Sequence, residues 1–455
     1  MTPPDAAGAA PTSVAADAVP VPLLRIRDVM ALVVGIVVGA GIFSVPAVVA
    51  ANAASGGAVM LAWLIGGALS LAGALCYAEL ATSHPHSGGE YHFLRLAFGD
   101  RIAFLFAWAR LTVIPTGSIA LLAFIFGDYA SQLLPLGGYS SSVYAAAVIC
   151  VLTALNVIGL HSGKRTQNLL TLVETGGVIA IIFVGLALVP PDSAATGLLP
   201  ASAVTNWGLV LIFVMLAYGG WNEAAYISAE VVRAQRSLPL ALIGSIGVVT
   251  ALYLLMNFAY LRVLGLDEMG QSQAVAADMM GSALGGYGAN LISVVVAVSA
   301  LTSTNATILM GARTTYAFGR VAPMFSALGR WHPGRSAPVT ALLVQGAIAL
   351  ALVLLGTLTR QGFATMVEYT APVFWLFFLL TGLSLFVLRW RAPDAPRPFR
   401  VPLYPLTPLV FCAMCGYLLY ASLRHTGIGA LVGVAVLAAG ALVLLFGRER
   451  AVPRA

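Results

Sequence analysis

The chain has 455 residues, 60% of them apolar and only 9% charged, against roughly a quarter charged in an ordinary soluble domain. A water-soluble fold of this length needs far more polar surface, so the composition excludes one and requires lipid as solvent. The formal charge of +6 does not point to nucleic acid, because the basic residues sit in alternate loops rather than in one patch.

The first 22 residues are rich in Ala and Pro and lack the basic start and apolar core of a signal peptide; residues 1–24 are expected to be a disordered cytoplasmic tail. A helix needs about 20 apolar residues to cross the hydrocarbon. Apolar runs predict about twelve spans, at 28–51, 57–82, 102–130, 141–160, 167–189, 206–230, 238–264, 288–318, 338–357, 363–389, 404–423 and 427–447. Nineteen of the twenty-three Lys and Arg residues fall in the loops of one side, from Arg25 and Arg27 through Lys164 and Arg165 to Arg448, Arg450 and Arg454. The other side has only Arg262, Arg360 and Arg424, and Arg110 lies inside a span. The positive-inside rule then places both termini in the cytoplasm, which an even number of spans satisfies. The expected location is the plasma (inner) membrane of a bacterium, with residues 448–455 as a second cytoplasmic tail. Cys76, Cys150, Cys412 and Cys415 all lie in apolar runs, so no disulfide framework and no disulfide-linked partner are expected.

Two spans are interrupted. The first reads Val34-Gly35-Ile36-Val37-Val38-Gly39-Ala40-Gly41-Ile42-Phe43-Ser44-Val45-Pro46, and the sixth Leu216-Ala217-Tyr218-Gly219-Gly220-Trp221-Asn222. Each interior glycine costs a helix about 1 kcal/mol relative to Ala, and unwound backbone at membrane depth is tolerated only where it lines a cavity or is buried in protein. Glycines can instead serve close helix packing. Their recurrence five helices apart favours a carrier built from two inverted repeats, 25–190 and 206–390, with helices 11–12 over 391–447.

The ordered set of motifs resembles the amino acid–polyamine–organocation superfamily of permeases, in its L-type amino-acid exchanger branch. The set comprises Gly39-Ala40-Gly41-Ile42-Phe43 with Pro46, Tyr77-Ala78-Glu79-Leu80, Ser87-Gly88-Gly89-Glu90-Tyr91 and Tyr218-Gly219-Gly220-Trp221-Asn222. It continues through Asn305-Ala306-Thr307, Pro372-Val373-Phe374-Trp375 and Arg397-Pro398-Phe399-Arg400-Val401-Pro402. The resemblance implies an all-α polytopic protein of the leucine-transporter-like 5+5 fold, working by alternating access on amino acids or related amines. It further implies a substrate carboxylate on the N–H groups of Ala40 and Gly41, at a half-helix N-terminus with unpaired donors. The ammonium would face the carbonyls of Val37, Leu216 and Gly219, with Trp221 and Asn222 on the pocket wall. Leu216 stands where L-type members usually carry an aromatic lid. Glu174 stands where many relatives carry a lysine that substitutes for a sodium ion.

Charges inside the membrane usually face an interior and carry function, because they are costly there. Glu174 has three readings: it holds a coupling proton, binds a cation, or pairs with Arg110. Glu223 directly follows Trp221-Asn222 and is expected in the pocket, whereas Glu368 and Arg110 read more readily as structural. Ser299 and Ser303 on the eighth span offer oxygens to a coupling ion, though Ser and Thr also bond their own helix backbone. No cofactor is called for, but a coupling H+ or Na+ is compatible. His84, His86 and His92 with Glu90 match the motif of their loop without a metal. An intramembrane enzyme lacks support, since all six histidines fall in loops or at span ends. A polyamine carrier or a non-transporting nutrient sensor on the same scaffold remains the alternative to an amino-acid permease.

Overall fold

The computed structural model describes residues 24–86, 88–159, 164–188, 204–228, 231–332, 335, 337–424 and 427–446. The two tails expected at 1–24 and 448–455 lie outside these, apart from Leu24. Among the described residues the architecture is all helical, with only isolated backbone bridges such as Leu24 to Val231.

The first span is divided into α1 (Ile26–Val37), a 3-10 turn (Ala40–Phe43) and α2 (Val45–Ala51), which starts at Pro46 as a helix N-terminus tolerates. Then follow α3 (Gly56–Ser83), α4 (Gly89–Phe98), α5 (Asp100–Thr112), α6 (Ile114–Leu133), α7 (Ser140–Ile158) and α8 (Lys164–Phe183), the last continued by a π-turn over Val184–Leu188. The sixth span is α9 (Trp207–Ala217) followed by a 3-10 turn at Trp221–Ala225. The remainder is α10 (Ala234–Gln271), α11 (Val275–Val321), α12 (Val339–Thr359), α13 (Gly362–Arg391), α14 (Leu406–Arg424) and α15 (Ile428–Phe446).

Among the described residues, eight helices are long and apolar enough to cross a membrane. Three shorter apolar helices (Leu172–Leu188, Trp207–Ala217, Ile428–Leu444) and the divided first span bring the number to twelve, as the sequence predicts. Details differ. The third span is split at Val113, where Pro115 has no N–H to continue the ladder. Helices α10 and α11 outrun their expected spans and bend at Gly265 and Gly285, both at positive φ. The loop after the second span holds a short helix, α4, that packs on α5 and α13.

Outward side chains such as Leu64, Ile179, Leu354 and Leu431 are 52–73% exposed. In water that belt would aggregate; against acyl chains it is the surface the fold needs. The interior closes through small residues. A Cβ at Gly66 would stand 2.4 Å from Val214 and one at Gly67 2.4 Å from Thr250, so α3 approaches α9 and α10 across glycine faces.

Candidate functional site

The two interruptions lie against each other. Helix α1 packs on the 3-10 turn Trp221–Ala225, and the turn Ala40–Phe43 packs on α9, so each broken helix meets the far half of the other. In the first break, Val38 leaves helical geometry and Gly39 is extended (φ −111, ψ −176). The N–H groups of Ala40 and Gly41 open the 3-10 turn, where no intrahelical acceptor exists, and neither has a backbone acceptor among the described residues. In the second break, Gly220 sits at φ +110, a conformation that favours glycine, with its α-carbon against Ile36: a Cβ there would stand 2.6 Å from the Ile36 side chain.

Tyrosines hold both breaks. The Tyr253 hydroxyl of α10 lies 2.8 Å from the Val37 carbonyl and 3.0 Å from that of Ala217, the last residues of α1 and α9. It carries one proton and so donates to one carbonyl at a time. The Tyr129 hydroxyl donates to the Phe43 carbonyl at 2.7 Å, on the far side of the first break, while accepting from the Ala276 N–H at 3.3 Å. Sequence reasoning passed over both tyrosines. The available signal was the hydroxyl itself, since a buried phenol in an apolar helix must find a partner.

The expected site residues do not all converge. Ala40, Gly41, Leu216 and Gly219 border the breaks. The Val37 carbonyl accepts from the Gly39 N–H at 2.8 Å and shares the single Tyr253 hydroxyl proton with the Ala217 carbonyl. The Leu216 carbonyl accepts from the N–H groups of both Tyr218 and Gly219, the latter at 2.9 Å, while the Gly219 carbonyl has no donor among the described residues. Trp221 is a correction. It is 1% exposed and its ring sits in an aromatic cage, 5.1 Å from Tyr77 and 5.6 Å from Phe378, with Phe411 at 6.3 Å. It packs the core between α3, α13 and α14 instead of lining a pocket. Asn222 is buried, and Glu223 turns to Arg110, 3.5 Å away, whose guanidinium also lies 5.4 Å from the centre of the Tyr226 ring.

That pairing settles Arg110 as the partner of Glu223 and removes the Arg110 reading of Glu174. Glu174 is buried in α8 and accepts a short hydrogen bond from the Ser299 hydroxyl of α11. Gly177, one turn on from Glu174, approaches the Phe43 ring at the first break. Ser303 lies one turn beyond Ser299 on the same helix face. Thr302 and Thr304 bond their own helix, at the Val298 and Ala300 carbonyls.

Glu79, Glu368 and Glu90 have structural partners. Glu79 takes Arg389 through two bonds of 2.7 and 2.5 Å and the Val401 N–H at 2.6 Å, tying α3 to the end of α13 and the loop beyond it. Glu368 accepts the N–H groups of Gly427 and Gly429 at the start of α15. Glu90 accepts the hydroxyls of Tyr77 at 2.5 Å and Tyr226 at 3.0 Å. His86 and His92 stack with centroids 4.1 Å apart; burial and the neighbouring ring push His92 down to about 4, so it stays neutral at physiological pH. No cluster able to hold a metal occurs among the described residues.

Among the described residues, eight long apolar helices with four shorter or divided apolar segments, two of them broken against each other, have the build of a membrane carrier. The chain belongs to the amino acid permease family, whose sequence model matches residues 24–446. It is 34% identical over 382 residues to the b(0,+)-type amino acid transporter 1 of Mus musculus, covering 82% of this chain and 77% of that one. It is 31% identical over 430 residues to the Large neutral amino acids transporter small subunit 2 of Homo sapiens (91% and 78%). With the Serine/threonine exchanger SteT of Bacillus subtilis (strain 168) it shares 29% identity over 416 residues (89% and 93%). The protein is thus an amino acid permease, and the polyamine-carrier and sensor readings are not favoured.

Proposed function

We propose that the protein moves neutral amino acids across the plasma (inner) membrane of a bacterium, with both termini cytoplasmic, in a cycle coupled to a proton on Glu174. The observation that carries the reading is the pair of breaks pinned together at Tyr253, with the N–H groups of Ala40 and Gly41 left open. Two free amides at a half-helix N-terminus suit a carboxylate. The Gly219 carbonyl, which has no donor among the described residues, suits the ammonium, and the two ends together recognise an α-amino acid without any side-chain charge. A neutral substrate fits a site whose one nearby acid in the sixth span, Glu223, is neutralised by Arg110. The names of the relatives, neutral amino acid carriers and a serine/threonine exchanger among them, support the same class. The bacterial setting accords with the matching length of the Bacillus subtilis relative, 93% of which is covered.

Glu174 suits a proton because it is buried, bonded only to Ser299, and has no basic residue within 4.0 Å among the described residues. A carboxylate in such a place carries a large desolvation cost unless a proton or cation joins it. Ser299 and Ser303 would serve a sodium ion in the same place, so the experiment separates the two. Purified protein in proteoliposomes is offered labelled L-leucine and L-serine under a pH gradient, a sodium gradient or neither, with and without internal amino acid. Accumulation driven by pH in wild type and lost in Glu174→Gln, with exchange retained, is the expected outcome. An unchanged response to pH in a stable Glu174→Gln protein defeats the coupling role, and absence of flux for every amino acid tried defeats the transport reading.

A further inference from the structure

On the arginine-poor face, between α2, α6, the start of α7 and the turn from α12 to α13, lies a cavity of about 490 Å³. That is within the usual range of about 300–1,000 Å³ for small-molecule sites. Ser44, the residue that follows the 3-10 turn of the first break, is part of its wall, so the cavity leads to the broken helices.

Its chemistry is two-ended. Asp128 of α6 faces the cavity beside Ser141, whose hydroxyl donates to the Phe124 carbonyl at 3.5 Å; no cation among the described residues lies within 4.0 Å of Asp128. A carboxylate set at the end of an apolar helix without a cation is a costly arrangement that a visiting positive group relieves. Arg360, on the opposite connection, caps α12 at φ +59, a left-handed position where glycine is the ordinary choice. Its guanidinium lies 4.2 Å from the centre of the Tyr139 ring and donates from Nη2 to the Tyr139 hydroxyl at 2.6 Å. This fixes the plane of the group and leaves its other donors without a protein acceptor among the described residues, ready for a carboxylate. The Ser44 hydroxyl is buried and has no hydrogen-bond partner among the described residues.

We infer that this vestibule is a second amino-acid site, in which Asp128 takes the ammonium and Arg360 the carboxylate of a zwitterion before it passes Ser44 to the central site. The inference rests on the transport reading above but assigns separate residues. A zwitterion is the ligand class that uses an anionic and a cationic wall at once; an inorganic cation would use Asp128 alone.

Asp128→Asn, Arg360→Gln and the double variant are reconstituted at full length in proteoliposomes, and uptake of labelled L-leucine and L-serine is measured from each face separately. Each single variant is expected to raise KM at least fivefold from the arginine-poor face and less than twofold from the other, with the maximal rate within twofold of wild type. The double variant should fall short of the product of the single effects, because one ligand bridges both groups. Tyr139→Phe should reproduce part of the Arg360→Gln effect. An unchanged KM from the arginine-poor face, or an equal change from both faces, overturns the inference. So does an Asp128→Asn effect that vanishes when choline replaces sodium, which would mark an inorganic cation site. If wild type moves neither probe, the transport reading fails, and equilibrium binding of labelled L-leucine in detergent decides: an Asp128-dependent component supports the vestibule, and its absence ends it.

Discussion

Gly41 allows the backbone site to be tested separately from the packing that surrounds it. A Cβ built on Gly41 meets nothing within 4 Å, and the residue does not use positive φ. Gly41→Ala should therefore fold as well as wild type, or gain up to about 1 kcal/mol through a less flexible unfolded chain. If the open space is where the substrate carboxylate rests, the methyl group occupies part of it. Overpacking of one methyl costs about 1–3 kcal/mol, which corresponds to roughly a fivefold to hundredfold loss of affinity. Gly220→Ala is the contrasting case. Its Cβ would stand 2.6 Å from the Ile36 side chain at φ +110, adding about 1–2 kcal/mol of left-handed strain to a similar steric cost. Thermal unfolding in detergent and L-leucine exchange in proteoliposomes separate them: Gly41→Ala keeps its Tm and loses exchange, while Gly220→Ala loses Tm as well. Wild-type KM in a well-folded Gly41→Ala protein would refute the placement of the carboxylate.

Tyr253→Phe removes the hydroxyl shared by the Val37 and Ala217 carbonyls; a loss of about 1 kcal/mol in stability is expected, with a larger proportional fall in exchange rate, and equal exchange would show that the bridge is dispensable. Glu79→Gln leaves Arg389 half-buried without its carboxylate and should cost about 3–5 kcal/mol, of which Arg389→Met in the same chain should restore a large part; the two changes adding simply would argue against the pair. A cysteine placed at Gly138, in the turn between α6 and α7, should react with an impermeant maleimide only from outside intact cells, and reaction only in inverted vesicles would reverse the orientation drawn from the arginines.

The span number and the two breaks were legible in the sequence because both depend on local quantities: apolar length for the one, clustered glycine for the other. The facing of side chains was not. Trp221, Asn222 and Glu223 are consecutive, and consecutive residues on a helical turn point about 100° apart or more, so they cannot all line one pocket; Trp221 goes to the aromatic core and Glu223 to Arg110. Partner choice was equally hidden, because whether Arg110 meets Glu174 or Glu223 depends on which helices adjoin α5. Helix α4 escaped notice since ten residues with two charges, Glu90 and Arg95, carry no spanning signal. The bends at Gly265 and Gly285 likewise follow from single glycines with no clustered signature.

The buried charges fall into two sets, and the division bears on mechanism. Glu79 with Arg389, and Glu223 with Arg110, are compensated within the protein. Asp128 and Glu174 are not: Glu174 has the Ser299 hydroxyl, and neither acid has a basic residue within 4.0 Å among the described residues. Asp128 lies in the vestibule and Glu174 beside the breaks, so on the proposed reading the two uncompensated acids mark successive stages of one route. Each lowers the energy of a positive charge that visits it, and neither holds one permanently. A permanently paired acid gives the same field whether substrate is present or absent and has no preference between states of the cycle. An acid that gains and loses its counter-charge does have such a preference, limited to the difference in its affinity between those states. Glu174 lies one turn from Gly177, whose face meets the Phe43 ring at the first break. On the proposed coupling, neutralising Glu174 would shift the balance between states next to the first break, whose Phe43 carbonyl is held by Tyr129.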